Sequence, residues 1–345
     1  MKTVYTGLDA GSSSCKVVTL NEEGKPVHSS EFPTTEANLI KAAKEIPGRA
    51  IVHLEASELA GWIRGILRRE KRTVQRVIVS DPKLNAWIGK DPHKNDQVDA
   101  FKLAELARMG RFNEVYYPDD EGRAEFKMLV QHHERLTKQA VRVKHQIKSC
   151  LRLQGVIIKN MKLFSHEGRV PVLNQVSSEV PHKMLRQHYA VLDSIVKQRK
   201  DTLRLIRRES RKYPEIALLC EIPGVKGILA ARFSAYVQTP QRFSNRRKLW
   251  RYSRLGIVDR TSDGKPLGYQ RLDRQGSGTL KDLSRKAFLV SCKRCRKDNA
   301  FRRFYTMSLD TTHDEKHARL STQRKILAVM MAMWRNQQHY DDNRG

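Results

Sequence analysis

With 345 residues, 39% of them hydrophobic, the chain can bury a core and fill two or three domains, which excludes a disordered polymer. Its 66 Lys+Arg against 37 Asp+Glu give a net charge of +29, which calls for a polyanionic partner. Five cysteines do not make a disulfide scaffold in so long a chain, no signal peptide opens it, and no apolar run approaches the ~20 residues of a membrane span.

That reads as a soluble, cytoplasmic protein with no membrane partner. The charge is uneven. Residues 1–110 carry 17 basic and 14 acidic side chains, +3, which leaves 49 and 23, +26, for residues 111–345. The first part is nearly neutral, and the rest is suited to phosphates.

In chain order, Thr3-Val4-Tyr5-Thr6-Gly7-Leu8 is a β-type run ending at Asp9. Lys16-Val17-Val18-Thr19-Leu20 is a second, and a turn over 21–26 leads into a third, so the chain opens with an antiparallel meander. A helix over 36–45, a strand over 50–54 ending at Glu55, a helix over 59–69 and a strand over 74–79 follow. The order βββαβαβα predicts an α/β layer fold with helices against a mixed sheet.

The last helix of that series opens at His93-Lys94-Asn95-Asp96-Gln97-Val98-Asp99-Ala100, with Asn95 as N-cap and a strongly helix-forming run behind it. Asp96 and Asp99 fall three apart on one face of its first turn, where the helix dipole favours them although they repel each other. Asp9 and Glu55 end strands, so four carboxylates converge in this scheme. Such a cluster is a poor structural device unless hard cations fill it, and carboxylates select Mg²⁺ or Mn²⁺. Two such ions roughly 4 Å apart suit phosphoryl transfer. A competing reading takes Asp9-Ala10-Gly11-Ser12-Ser13-Ser14 as the phosphate hairpin of a sugar kinase or actin-type ATPase, but no Gly-rich adenosine loop follows.

From about residue 125, Leu129, His133, Leu136, Ala140, Val143, Ile147 and Cys150 step by 4 and 3, a heptad seam set among basic residues. After a loop at Gly168-Arg169-Val170-Pro171, a second helix over 183–213 carries His188, Leu192, Ile195, Thr202 and Ile206 on one side. Together these predict a basic antiparallel arm that self-associates and follows a nucleic-acid backbone. Ile222-Pro223-Gly224-Val225-Lys226-Gly227 resembles the hairpin of a helix-hairpin-helix module. Residues 242–274 are dense in Arg and Lys, interleaved with Trp250, Tyr252 and Tyr269, around Arg260-Thr261-Ser262-Asp263-Gly264-Lys265. A serine flanked by cations is a sensible phosphodiester nucleophile, although a plain turn explains the same residues. Cys292, Cys295, His313 and His317 have the residue types of a zinc site at spacings outside the usual finger, so core cysteines are the competing reading. The run 326–334 reads as a core helix.

Gly7-Leu8-Asp9-Ala10, Leu54-Glu55-Ala56, Lys94-Asn95-Asp96-Gln97-Val98-Asp99-Ala100, Ile222-Pro223-Gly224-Val225 and the Ser262 region occur in an order and spacing that covers most of the chain. This set resembles the DEDD transposases and site-specific recombinases of bacterial insertion sequences. That is the family numbered one hundred and ten, related to the Piv invertases and described as bridge-RNA-guided recombinases. The resemblance implies a RuvC-like (RNase H-type) domain over 1–115, a helical coiled-coil insert over 116–215, and a mainly α transposase domain over 216–345. It implies Asp9, Glu55, Asp96 and Asp99 as metal-binding carboxylates and Ser262 as the serine that becomes transiently linked to DNA, with Ser277 a rival for that position. It further implies donor and target DNA, a structured guide RNA, and a homo-oligomer, dimer to tetramer, at the bacterial nucleoid. A RuvC-like junction nuclease in which water attacks, and a non-enzymatic nucleic-acid binder, are the alternatives.

Overall fold

The computed structural model describes residues 2–82, 96–158, 161–262 and 265–343, and the side chains of residues 96, 161 and 259–270 lie outside that description. The chain divides into two compact units, Met1–Glu121 and Gly122–Gly345.

In the first unit, apolar runs broken by turn residues become strands. β1 (Thr3–Ala10), β2 (Ser14–Leu20) and β3 (Pro26–Pro33) pair antiparallel as the meander the sequence predicts. The first turn closes where the Gly11 N–H donates to the Ser14 carbonyl at 3.0 Å. β4 (Arg49–Glu55) runs parallel to β1 on its other side, and β5 (Val74–Ser80) is parallel beyond it, so the order is β3-β2-β1-β4-β5. Parallel neighbours need crossovers, and α1 (Glu36–Glu45) and α2 (Ala60–Leu67) supply them. Thr35 starts α1 by accepting the Asn38 N–H on its hydroxyl.

Successive strand side chains point to opposite faces, and each face has its own cover. Val4, Leu8, Val17, Val52, Leu54, Val77 and Val79 form one core with residues of α1 and α2. On the other face Val18 and Leu20 meet Ala100 and Ala104 of α3 (Asp96–Arg108).

The second unit is mainly helical. α4 (Glu121–Leu153) and α6 (Glu179–Glu209) are its long helices. Ala140, Val143, Ile147 and Cys150 of α4 share a core with Leu185, Tyr189 and Leu192 of α6 and with the segment between the two helices. The buried side of α6 is therefore led by Leu185 and Tyr189, and His188 sits beside it, half-buried. Gly168-Arg169-Val170-Pro171 is not a loop. It lies inside α5 (His166–Leu173), started by the Ser165 hydroxyl and held to α6 by Arg169, whose guanidinium donates to both carboxylate oxygens of Asp193. The bidentate Arg169–Asp193 pair and the buried Val172 outweigh the missing proline N–H in so short a helix.

A larger core joins the start of α4, through Phe126 and Val130, to α7 (Pro214–Leu219), α8 (Gly227–Val237), α9 (Arg246–Tyr252), α10 (Gly278–Phe288), α11 (Ala300–Thr312) and α12 (Glu315–Asn336). The run 326–334 is in α12, where Ile326, Leu327, Met330 and Trp334 are buried. β6 (Ile257–Ser262) and β7 (Lys265–Leu272) form an antiparallel ribbon after α9. Among the described residues no helix is long and apolar enough to cross a membrane.

Candidate active site

The register of β1 and β4 pairs Gly7 with His53 and Leu8 with Leu54, so Asp9 and Glu55 are the next residues along two adjacent parallel strands, about 4.8 Å apart. Leu8 and Leu54 point into the core under α1 and α2. By alternation Asp9 and Glu55 face the other side, the side that α3 covers.

Gly7 lets α3 come so close. A Cβ on Gly7 would stand 1.8 Å from the Ala100 carbonyl oxygen and 2.6 Å from the Ala104 nitrogen. Asp99 directly precedes Ala100, in the first turn of α3, and its Oδ1 is buried with no hydrogen-bond partner among the described residues. The backbone thus brings Asp9, Glu55 and the start of α3 to one end of the sheet. Asp96 begins α3, but its side chain, like the whole of Asn95, lies outside the described residues. Among the described residues no three His, Cys, Asp or Glu side chains stand together closely enough to hold one metal ion. A buried Asp99 oxygen with no hydrogen-bond partner among the described residues, at the end of the sheet where two further carboxylates end strands, nevertheless supplies donors of the type a hard divalent cation takes.

His53 belongs to this end of the sheet and was not singled out from the sequence. It is fully buried, two residues before Glu55 on the same face. Its Nδ1 lies 2.8 Å from the Leu103 carbonyl and its Nε2 2.8 Å from the Ser80 hydroxyl. Only an N–H can face a carbonyl, so Nδ1–H donates to Leu103 and the unprotonated Nε2 accepts from Ser80. Burial pushes the imidazole pKa down, against the smaller opposing effect of that carbonyl. A neutral histidine therefore ties β4 and β5 to α3. The clue was a polar residue in an otherwise apolar strand at alternate spacing from Glu55. Lys16 is the second omission: it is the direct cross-strand partner of Asp9, and its ammonium lies 3.6 Å from Glu31.

In the second unit Ser262 ends β6 and pairs in register with Lys265 at the start of β7. Asp263 and Gly264 lie outside the described residues, as do the side chains of Arg260, Ser262, Lys265 and Tyr269. Ser277 is the N-cap of α10, accepting the Leu280 N–H on its hydroxyl. The helix-hairpin-helix-like glycines have divided roles. Gly224 (φ +83°) packs so that a Cβ would stand 2.5 Å from the Ala287 carbonyl, while Gly227 faces open space at the start of α8. Cys292 is buried in a π-helical turn, Leu289–Arg294, with Cys295 as its C-cap, and the two are not grouped with His313 and His317.

Carboxylates ending adjacent parallel strands of a mixed sheet, carried with a strongly basic helical unit, fit the class of metal-dependent phosphoryl-transfer enzymes that act on nucleic acid. Two family models match. One, described as Transposase and of the DEDD type, covers residues 6–154, and one described as Transposase IS116/IS110/IS902 family covers residues 216–306, together more than two thirds of the chain. The chain belongs to the IS110 family of DEDD transposases. Membership carries DNA binding and a general dependence on divalent metal. No curated protein matches the chain.

Proposed function

We propose that this transposase is a Mg²⁺-dependent recombinase, Mn²⁺ substituting, that uses Ser262 as its nucleophile and a RuvC-like first domain as its metal site. In this reading residues 1–115 are the catalytic domain, 116–215 the coiled-coil arm and 216–345 the domain that carries the serine. It works at the nucleoid as a dimer to tetramer, with a structured guide RNA. The placement of Asp9, Glu55 and the buried oxygen of Asp99, unpartnered among the described residues, at one end of the sheet carries the proposal. The +26 of residues 111–345 supports nucleic-acid partners beyond one duplex.

Asp9, Glu55, Asp96 and Asp99 would hold the cation through hard oxygens. When bound, it supplies stabilisation of the charge that develops on the phosphate and leaving oxygens. The Ser262 hydroxyl oxygen forms a bond to phosphorus, the P–O bond to one deoxyribose breaks, and the proton lost by the serine is balanced by one gained at the released hydroxyl. Each cut therefore stores its phosphodiester as a serine ester, and attack by another strand's hydroxyl returns the serine. Ser277 accepts the Leu280 N–H as the cap of α10, and the trap below tests it beside Ser262.

The test is an adduct trap on denaturing gels. Wild-type and Ser277→Ala protein should both yield a covalent protein–DNA band, Ser262→Ala none, and Asp99→Asn neither band nor recombinant product while still binding nucleic acid. Cleavage by Ser262→Ala at the wild-type rate would remove Ser262 from the role: with a covalent band the role passes to Ser277, and without one water attacks, as in a resolvase-like nuclease.

A further inference from the structure

A broad groove in the second unit has no part in the strand-transfer scheme. Two cavities of about 710 and 630 Å³ flank one pair of residues, Trp250 of α9 and Arg324 of α12, which line both. Each is in the size range that encloses a small molecule, roughly 300–1,000 Å³. The pair is fixed: the Trp250 indole N–H donates to the Arg324 carbonyl at 3.0 Å, and the Arg324 Nε donates to the Leu255 carbonyl at 2.8 Å.

The larger cavity has an apolar floor of Trp250, Phe304, Ala328, Val329 and Ala332. Arg246, Lys325 and Arg335 stand around the larger cavity and Arg247, Lys248 and Arg251 around the smaller, and among the described residues no carboxylate lines either one. Of these cations, only Arg251 pairs with an acid among the described residues, Asp273 at 3.1 Å. Cations also sit over both rings, Arg246 5.6 Å from the Trp250 centroid and Lys325 4.3 Å from that of Phe304.

We infer that this groove holds an unpaired stretch of DNA, with bases stacked on Trp250 and Phe304 and phosphates on Arg247, Lys248 and Lys325. Stacking faces alternating with unpaired cations are what a single strand requires, whereas a duplex keeps its bases inside and offers an apolar floor nothing. A free small anion would leave the aromatic floor unused. Membership of this family carries DNA binding, which makes DNA the polymer to fit here. The inference concerns binding, so it stands or falls separately from the role of Ser262.

The full-length protein is titrated with fluorescein-labelled dT20, rU20 and a 20-bp duplex at several salt concentrations. Trp250→Ala should weaken dT20 binding about tenfold. Trp250→Phe, which keeps a ring, should restore most of it. Arg247→Ala/Lys248→Ala, both exposed, should lower the salt slope for dT20 by about 1.4, at roughly 0.7 for each lost phosphate contact on a single strand. Circular dichroism confirms that each variant is folded. Unchanged dT20 affinity in both folded variants overturns the inference. So does an equal loss of duplex binding, which makes the groove a general basic surface. Tighter rU20 binding with the same sensitivity to substitution overturns it too, because the occupant is then RNA.

Discussion

Gly7→Ala tests the arrangement at the sheet end most directly, because it adds one methyl group and removes no functional atom. That methyl would lie 1.8 Å from the Ala100 carbonyl oxygen, about 1.2 Å inside the 3.0 Å approach that real Cβ atoms essentially never breach. The obstacle is helix backbone, so no side-chain rotation relieves it, and α3 must move off the sheet by roughly that distance. Overpacking of this kind costs about 1–3 kcal/mol of stability. A misplacement of ~1 Å in a catalytic group costs about a hundredfold in rate, and Asp99 rides on the moving turn. The assay counts recombinant junctions on a two-site plasmid, with protein level and denaturant midpoint measured alongside. Gly65→Ala in α2, where the nearest atom to the new Cβ is 4.0 Å away, is the control and should leave both readouts near wild type. Recombination by Gly7→Ala within twofold of wild type, at an unchanged midpoint, would refute the claim that α3 rests on Gly7 and sets the position of Asp99.

His53→Leu should cost about 1–3 kcal/mol in denaturant unfolding, because it removes two buried hydrogen bonds, to the Leu103 carbonyl and to the Ser80 hydroxyl, at roughly 0.5–1.5 kcal/mol each. His133, buried in α4, has its pKa lowered to about 4 by burial first and then by Arg232, Arg199 and His132. With the folded pKa below the unfolded value of about 6.5, the unfolded chain takes up the proton first as pH falls. Stability should therefore drop by about 2 kcal/mol between pH 6.5 and 4, after allowance for solvent screening, and His133→Leu should flatten that limb in midpoints measured across the range. Arg232→Met should destabilise by about 3–5 kcal/mol, since it strands Glu134, which also accepts from Tyr236 and Thr279, while Glu134→Leu/Arg232→Met together should cost clearly less.

The first unit is legible in the sequence because each of its strands is a short apolar run stopped by turn residues or a charge. The order βββαβαβα, the strand ends at Asp9 and Glu55 and the helix start at Asp96 all follow from local pattern. The side of the sheet that α3 occupies does not. It depends on Gly7 meeting Ala100 across more than ninety residues, and nothing near Gly7 records that contact. The links from His53 to Leu103 and Ser80 are hidden for the same reason, since fifty and twenty-seven residues separate the partners. In the second unit the heptad seam shows which side of α4 is buried, from His133 to Cys150. Local rules misread Gly168 to Pro171, because a proline and a glycine inside four residues signal a turn until Arg169 and Val172 are seen packed.

By itself, then, the sequence determined the composition of the site and the order of the elements that bear it. Residue type, strand period and helix start are properties of neighbours along the chain. The tertiary structure alone decided that β4 lies next to β1, that α3 covers the face of Asp9 and Glu55, that Ser277 caps a helix, and that Trp250 and Arg324 sit between two basic cavities. Those are contacts between distant segments, selected by which apolar faces can be buried against one another, and no local preference specifies them.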